Sequence, residues 1–453
     1  MSTEDSTFPS QRIADEAHLF AVPTPESPPP PGGQVRLRRP DRRQVEMVMA
    51  ALDSLLPDEH RARVVWEYIE GLDLTALHEK IRAVEGRAGR SATDPRILMS
   101  LWLYATLDGV GSARQLARLC EEHVAYRWIC GGVSVNYHTL SDFRTAHVEF
   151  LDELLTQSVA TLMQEGLVTL HRVAQDGMRV RANAGAASFR RRKTLDTCQA
   201  EAREQVESLR KELESDPAAS NRRQAAARRR AARERSERIG KALEQLAEIE
   251  SKKKAKDKDK ARASTTDPDS RVMKMGDGGF RPAHNVQFAT DTDSQVITGV
   301  DVVNTGSDQG QMLPMVQQHQ ERHGKAPEEM LVDGGFAKKE DIEKVSSDEM
   351  GVTVYAPVQK PKDKDRDPHE RRPGDSETIA QWRKRMGTPE AKEIYKDRAS
   401  TAECVNAIAR NRGLRQFLVR GLSKVRAVVL WFALAHNLMR AVTLRAGASL
   451  AMG

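Results

Sequence analysis

Three acids that lie far apart in the chain have the side chains and settings for metal chemistry: Asp176, Asp333 and Glu403. Asp176 closes the apolar run 168–176 and is followed by Gly177, while Asp333 closes a second run from Met330 and is followed by Gly334 and Gly335. A glycine directly after a strand-end carboxylate lets the backbone turn away and leaves the oxygens facing a cleft. Carboxylates are hard oxygen ligands, and two or three that converge suffice for Mg²⁺, which keeps several of its waters. Two such ions about 3.5–4 Å apart can clamp the attacking and leaving oxygens of an in-line displacement at phosphorus. Taken singly, an Asp-Gly pair is better explained as a turn.

Other residues compete for such roles. Asp277 sits in a glycine-rich stretch, Asp301 alternates within a strand pattern, and both rank with Asp308 below Asp176. His284, His323 and His436 lack the spacing of metal ligands and read as structural. No Gly-x-x-x-x-Gly-Lys-Ser/Thr run is present, which argues against an ATP-driven factor. Trp382 with Arg383, Lys384 and Arg385 combines an aromatic with a basic cluster, which suits either nucleic acid or an exposed charged helix.

Several elements are needed to hold the acids in place. Residues 1–40 are proline-rich, lack apolar periodicity and read as a disordered tail. Across 41–167 apolar residues recur at helical spacing, as in Val45, Val48, Met49 and Leu52 and again in Ile97, Leu98 and Leu101, which predicts an all-α N-terminal domain. Within it, 112–123, the Gly131-Gly132 break and 139–144 could form a helix-turn-helix that sets Thr139, Ser141 or Arg144 against DNA. Residues 188–262 hold 23 Lys/Arg against 14 Asp/Glu, a net of +9, and leave the rest of the chain at −3 within a total of +6. That block predicts a basic helical hairpin, broken near 216–221 and inserted into the next domain, and it favours a polyanionic partner such as nucleic acid.

The flanking segments 168–187 and 263–445 are expected to form one α/β domain. Its pattern of three strands, a helix, a strand, a helix and a strand describes a mixed five-stranded sheet covered by helices, the order of a ribonuclease-H-like domain. Such an order sets the strands of Asp176 and Asp333 side by side, with Glu403 supplied by a later helix. On that helix Glu403, Asn406 and Arg410 fall on one stripe, so metal-binding and phosphate-binding groups share a face.

These residues resemble the DDE transposases of bacterial insertion sequences. The likeness runs through Asp94-Pro95-Arg96, Ser141-Asp142-Phe143-Arg144, Gln175-Asp176-Gly177, Arg181-Ala182-Asn183, Leu331-Val332-Asp333-Gly334-Gly335-Phe336, the segment 413–421 and Ala435-His436-Asn437. It implies that Asp176, Asp333 and Glu403 coordinate two Mg²⁺ ions, with Mn²⁺ as an alternative. Tyr395, Arg398, Arg410, Asn406, Arg144 and Arg181 would then contact DNA. It also implies double-stranded DNA, as element ends and target, for a partner, and a homodimer in the active complex. The chain departs from the related pattern twice: four residues rather than three separate Arg398 from Glu403, and Arg410 stands where that pattern has lysine. In an ideal helix the extra residue takes Tyr395 and Arg398 off the Glu403 stripe, so a helix start or a bulge is expected between them.

The rival functions are a catalytically idle repressor or architectural protein descended from such an enzyme, and a nuclease that cuts without joining. Four scattered cysteines, no secretory signal and a longest apolar stretch of 427–435, too short to span a bilayer, predict a cytoplasmic protein with access to the nucleoid.

Overall fold

The computed structural model describes residues 42–43, 51–84, 86, 91–215, 222–361 and 366–452. The expected tail at 1–40, the first apolar positions Val45, Val48 and Met49, and the hairpin turn at 216–221 lie outside them. Residues from Ala51 onward form one compact unit; Arg42 and Arg43, in the preceding unit, lie in a turn.

The helical region opens with α1 (Arg61–Glu70), α2 (Thr75–His78) and α3 (Pro95–Leu107), followed by α4 (Ala113–Glu122), α5 (Val124–Cys130), α6 (Tyr137–Ala146) and α7 (Val148–Gln164). Local chemistry sets the boundaries. Asp94 caps α3 by accepting from the Arg96 amide, and Pro95 occupies the first turn, where no amide donor is needed. Gly131 and Gly132, at φ 57° and 82°, stop α5 in left-handed backbone, and Asn136 caps α6 through the His138 and Thr139 amides.

Strand β1 (Arg172–Arg181) leads by a short strand, β2 (Phe189–Arg190), into two long helices, α8 (Arg192–Ser215) and α9 (Arg222–Lys252), and the chain returns through β3 (Ala263–Ser264), which pairs with β2. Helices α8 and α9 pack on each other, fastened at their base by a two-stranded ribbon and by a small core that includes Leu195, Ala202, Ile239 and Leu246. Arg228, Arg230 and Arg233 on α9 are exposed.

The sheet continues with β4 (Arg271–Lys274), β5 (Phe280–Asp291) and β6 (Ile297–Val303). Helix α10 (Met312–His323), β7 (Glu329–Val332), α11 (Lys339–Val345) and β8 (Thr353–Tyr355) follow. Strands β6, β5, β1, β7 and β8 lie side by side, with β6–β5 and β5–β1 antiparallel and β1–β7 and β7–β8 parallel. A sixth strand, β4, shares the outer edge of β5 with β6, pairing at Phe280–Ala283 where β6 pairs further along. The sheet is thus one strand larger than expected. Strand β4 is short, and with Val272 exposed between Arg271 and Met273 it carries almost no alternation to read.

The chain ends in α12 (Glu377–Gly387), α13 (Pro389–Arg398), a π-helical turn (Ala399–Glu403), α14 (Cys404–Asn411) and α15 (Leu422–Met452). Helix α15 is long and apolar enough to cross a membrane, in contrast to the shorter stretch read at 427–435, but most of its apolar window is buried inside the protein. It packs on α3, α6, α7 and β6, so the helical region and the sheet share one hydrophobic core. Each fully buried large side chain there, such as Trp431, Phe432 or Leu430, contributes about 1.5–3 kcal/mol.

Candidate active site

Asp176 does not end its strand. It sits in the middle of β1, because β5 is twelve residues long and keeps pairing with β1 as far as Arg181. Gly177 therefore makes no turn. A Cβ there would fall 2.1 Å from Asp308 Oδ1, so glycine is required to admit that carboxylate against the sheet. Asp333, by contrast, does follow the last residue of β7, and its Oδ1 accepts from the Gly335 amide at 2.8 Å. The parallel register pairs Gln175 with Val332, so Asp176 and Asp333 are the next residues along two neighbouring strands.

Side chains of directly opposed residues share a sheet face. Asp176 opposes Phe288, whose ring meets Phe432 of α15 at 5.6 Å, so Asp176 points to the α15 side. There Asn406 of α14 donates from Nδ2 to Asp176 Oδ2 at 2.8 Å. Arg398, at the end of α13, joins two of the acids: Nη2 donates to Glu403 Oε1 at 3.0 Å, and Nη1 lies 3.8 Å from Asp176 Oδ1.

Helix α13 is fixed to the sheet at two points. Tyr395 donates its hydroxyl to the Val332 carbonyl at 3.2 Å, and Arg172 of β1 bridges Glu329 and Asp397, both at 2.6 Å. These anchors aim Arg398 at the acids.

The π-helical turn accounts for the unusual spacing before Glu403. Residues five apart on an α-helix point away from each other, whereas a turn closed by i→i+5 hydrogen bonds returns them to one face. The bulge expected from the sequence is this turn, and it allows the contact between Arg398 and Glu403 across the extra residue.

Burial pushes the Asp176 carboxyl above its ordinary value; Arg398 opposes this, and the charges of Asp333 and Asp308 add to it. For Arg398 burial acts downward, but Tyr395, Asp176 and Asp333 outweigh it and hold the guanidinium more firmly protonated than usual. Burial also raises the Tyr395 hydroxyl. Among the described residues two buried polar atoms at the site have no hydrogen-bond partner, Arg398 Nη1 and Asn406 Oδ1. Among the described residues no three His, Cys, Asp or Glu side chains gather as a ready metal cage, since Glu403 is exposed and stands across Arg398 from Asp176.

The remaining candidates are dispersed. Arg410 lies exposed on α14, and Arg181 is exposed at the end of β1, where its backbone pairs with residues 415–417. Arg144 turns inward: its guanidinium lies 4.6 Å from the centre of the Trp102 ring and donates to the Gly111 carbonyl. The Trp382–Arg385 cluster is neither a DNA face nor an exposed charged helix. Trp382 is buried and donates to the Ala356 carbonyl, Arg383 is buried against Asp375 at 2.8 Å, and Arg385 donates to the Val354 carbonyl, which leaves Lys384 exposed. Sequence reasoning missed the anchor Arg172–Asp397. Its partners are 225 positions apart, and only the sheet order joins them.

Two family models match the chain. That described as "Transposase domain (DUF772)" covers residues 50–146, and that described as "Transposase DDE domain" covers residues 360–442, a span that includes Glu403, Arg398 and Tyr395. No curated protein and no solved structure matches.

Proposed function

Because the chain belongs to the DDE transposases of insertion-sequence type, with DNA as partner, we propose that it cuts DNA at the ends of its element and joins those ends to a target in one site built on Asp176, Asp333 and Glu403. The observation that carries this reading is that Asp176 and Asp333 are the residues next after the paired Gln175 and Val332 of two neighbouring parallel strands, with Arg398 between Asp176 and Glu403. The strand order β6, β5, β1, β7, β8, two antiparallel pairings followed by two parallel ones, supports assignment to the ribonuclease-H-like fold.

The donor types suit a divalent metal: the neighbouring Asp176 and Asp333, the more distant Glu403 and Asn406 Oδ1, which accepts no hydrogen bond from the described residues, are all hard oxygens. Mg²⁺, or Mn²⁺, bound there as a pair would supply Lewis-acid stabilisation of the charge that builds at phosphorus. The remaining work falls to the protein. Asn406 orients the Asp176 carboxylate, and the Tyr395 anchor keeps Arg398 beside the acids, where its guanidinium can neutralise a phosphate. Arg410, exposed one turn beyond Asn406, is placed to meet the next phosphate of the strand, and Arg181 a more distant one.

In the first step water attacks phosphorus and the P–O3′ bond breaks, leaving a 3′-hydroxyl on the element. In the second step that hydroxyl attacks a target phosphorus and displaces the target's own 3′-oxygen. No external energy source is needed, since one phosphodiester replaces another. The excess of exposed arginine on α9 supports a polyanionic partner, and the reaction places the enzyme in the cytoplasm, on the chromosome.

A strand-transfer assay with duplex element ends and Mg²⁺ tests the proposal. Joined products are expected with the natural chain and are lost in Asp333→Ala, which still binds the duplex. Joining that survives this substitution would falsify the assignment.

A further inference from the structure

Away from the acids, a cavity of about 280 Å³ opens between the helical region and the segment after α14. Arg144, Arg412 and Arg415 line it, the start of α4 at Gly111 and Ser112 borders it, and its apolar wall includes Phe417 and Phe432. No aspartate or glutamate lines it.

The two segments meet there along a close backbone seam. Gly109 and Gly413 both have left-handed backbone, φ 74° and 87°, and a Cβ on Gly413 would stand 3.0 Å from the Gly109 carbonyl oxygen.

Among the described residues the charges in this cavity have no carboxylate counter-ions. Arg144 has no carboxylate partner among the described residues; its contacts are the Trp102 ring and the Gly111 carbonyl, and its Nε is buried without an acceptor. Arg412 Nη1 is likewise buried and unpartnered. Burial brings the Arg144 guanidinium down to about 10, and burial together with the charge of Arg61 lowers Arg412. Buried charges in proteins are ordinarily paired, because an isolated one costs several kcal/mol. The N-terminus of α4, a ten-residue helix, adds its own partial positive charge. Three guanidinium groups and a helix N-terminus around one concavity, with no acid among the described lining residues, suit an anion with several acceptor oxygens.

We propose that this cavity binds a phosphate group, and that the phosphate is a backbone phosphate of DNA bound across the seam between the helical region and the α14–α15 segment. The anion site follows from the cavity alone. Its assignment to DNA rests on the transposase reading. The cavity contains none of the three acids, so it serves to hold and register the duplex rather than to react with it.

The test uses the full chain in two arms. In the first, thermal unfolding is followed as inorganic phosphate is titrated at constant ionic strength. The natural chain is expected to show a saturable rise in Tm that Arg412→Gln abolishes and the exposed-site variant Arg415→Gln reduces. In the second, a duplex oligonucleotide is titrated at several salt concentrations. Arg412→Gln is expected to weaken binding about tenfold and to lower the slope of log affinity against log salt by about one. A phosphate response with duplex binding unchanged in both variants would assign the site to a free anion and overturn the DNA part. No saturable response to phosphate, with duplex binding and salt slope unchanged, overturns the whole proposal. If the natural chain itself binds no duplex, it is the transposase reading that fails, and the phosphate arm still reports on the cavity.

Discussion

Asp176 projects from one face of β1, while Asp308, from the connection between β6 and α10, packs against the opposite face beneath the next residue, Gly177, and the two differ in how fully their oxygens are occupied. Asp308 is buried on the α10 side, beneath Gly177, and accepts from Asn285 at 2.8 Å, Gln287 at 2.8 Å and Arg179 at 2.6 Å. These neutral and cationic donors engage both of its oxygens and tie it into the fold. Asp176 accepts from Asn406 and the Gly177 amide and has Arg398 at 3.8 Å, beyond hydrogen-bond range. A carboxylate whose partners are all strong and close is part of the fold. One held on one side, next to a second acid and a mobile-length cation, is available for chemistry.

The sharpest way to break this contrast is to neutralise each acid separately. Asp176→Asn keeps the shape and, with its one acceptor oxygen, one of the two contacts to Asn406 and the Gly177 amide, but removes a charge, and is expected to cut strand transfer about a thousandfold, ~4 kcal/mol of transition-state stabilisation, with folding intact by circular dichroism. Retention of more than a tenth of the activity would place Asp176 with Asp308 among the structural acids.

Asp308→Ala is expected to do the opposite. It strands Arg179 and the two amides, and urea unfolding should show a loss of about 3 kcal/mol, whereas the folded fraction still joins DNA. If stability is unchanged and joining disappears, the division between the two acids is wrong.

The next effect in size concerns the bulge. Deleting Ser400 restores the three-residue gap between Arg398 and Glu403 and converts the π turn to regular helix, but α13 stays anchored by Tyr395 and Arg172. The residues after the deletion must then rotate, taking Asn406 off Asp176, and joining should fall about a hundredfold at unchanged helicity. Unimpaired joining would show that the turn is incidental.

Last comes an effect absent at neutral pH. Asp375 is another fully occupied acid: burial acts to raise its carboxyl, but Lys339, the Arg372 amide and Arg383 prevail and bring it from 3.8 down to about 2. A depressed carboxylate contributes stability that is complete above the unfolded value and is lost as pH falls through the folded one. Thermal unfolding of the natural chain should therefore lose this contribution between about pH 4 and 2, and Asp375→Asn should flatten that part of the profile. A profile that is identical in the two proteins would remove Asp375 from the set of locked acids.

How much of this was legible in the sequence depended on whether a signal was local. The strand before Asp333 ends where its apolar run ends, so its position was readable. The end of β1 was not, because the length of that strand is dictated by β5, a hundred residues later. The extra residue before Glu403 was visible as a spacing and required a helix start or a bulge, of which the π turn is the second. Arg383 looked like a surface cation because its partner, Asp375, comes from the charged segment before α12, and sequence alone gives no sign that the two fold against each other. Arg412, and Arg415 within the family-like segment 413–421, gave no sign of an anion site, since a missing counter-ion is a property of a cavity rather than of a run of residues.

The late position of α15 in the chain has a consequence for synthesis. The helices it covers, α3, α6 and α7, are complete about 260 residues before α15 begins. At about 5–20 residues per second, those helices emerge roughly 13–50 s before the element that buries their apolar faces. Each nascent chain therefore spends that interval with a half-built core open to chaperones, proteases and other nascent chains, so the yield of finished enzyme is set partly on the ribosome.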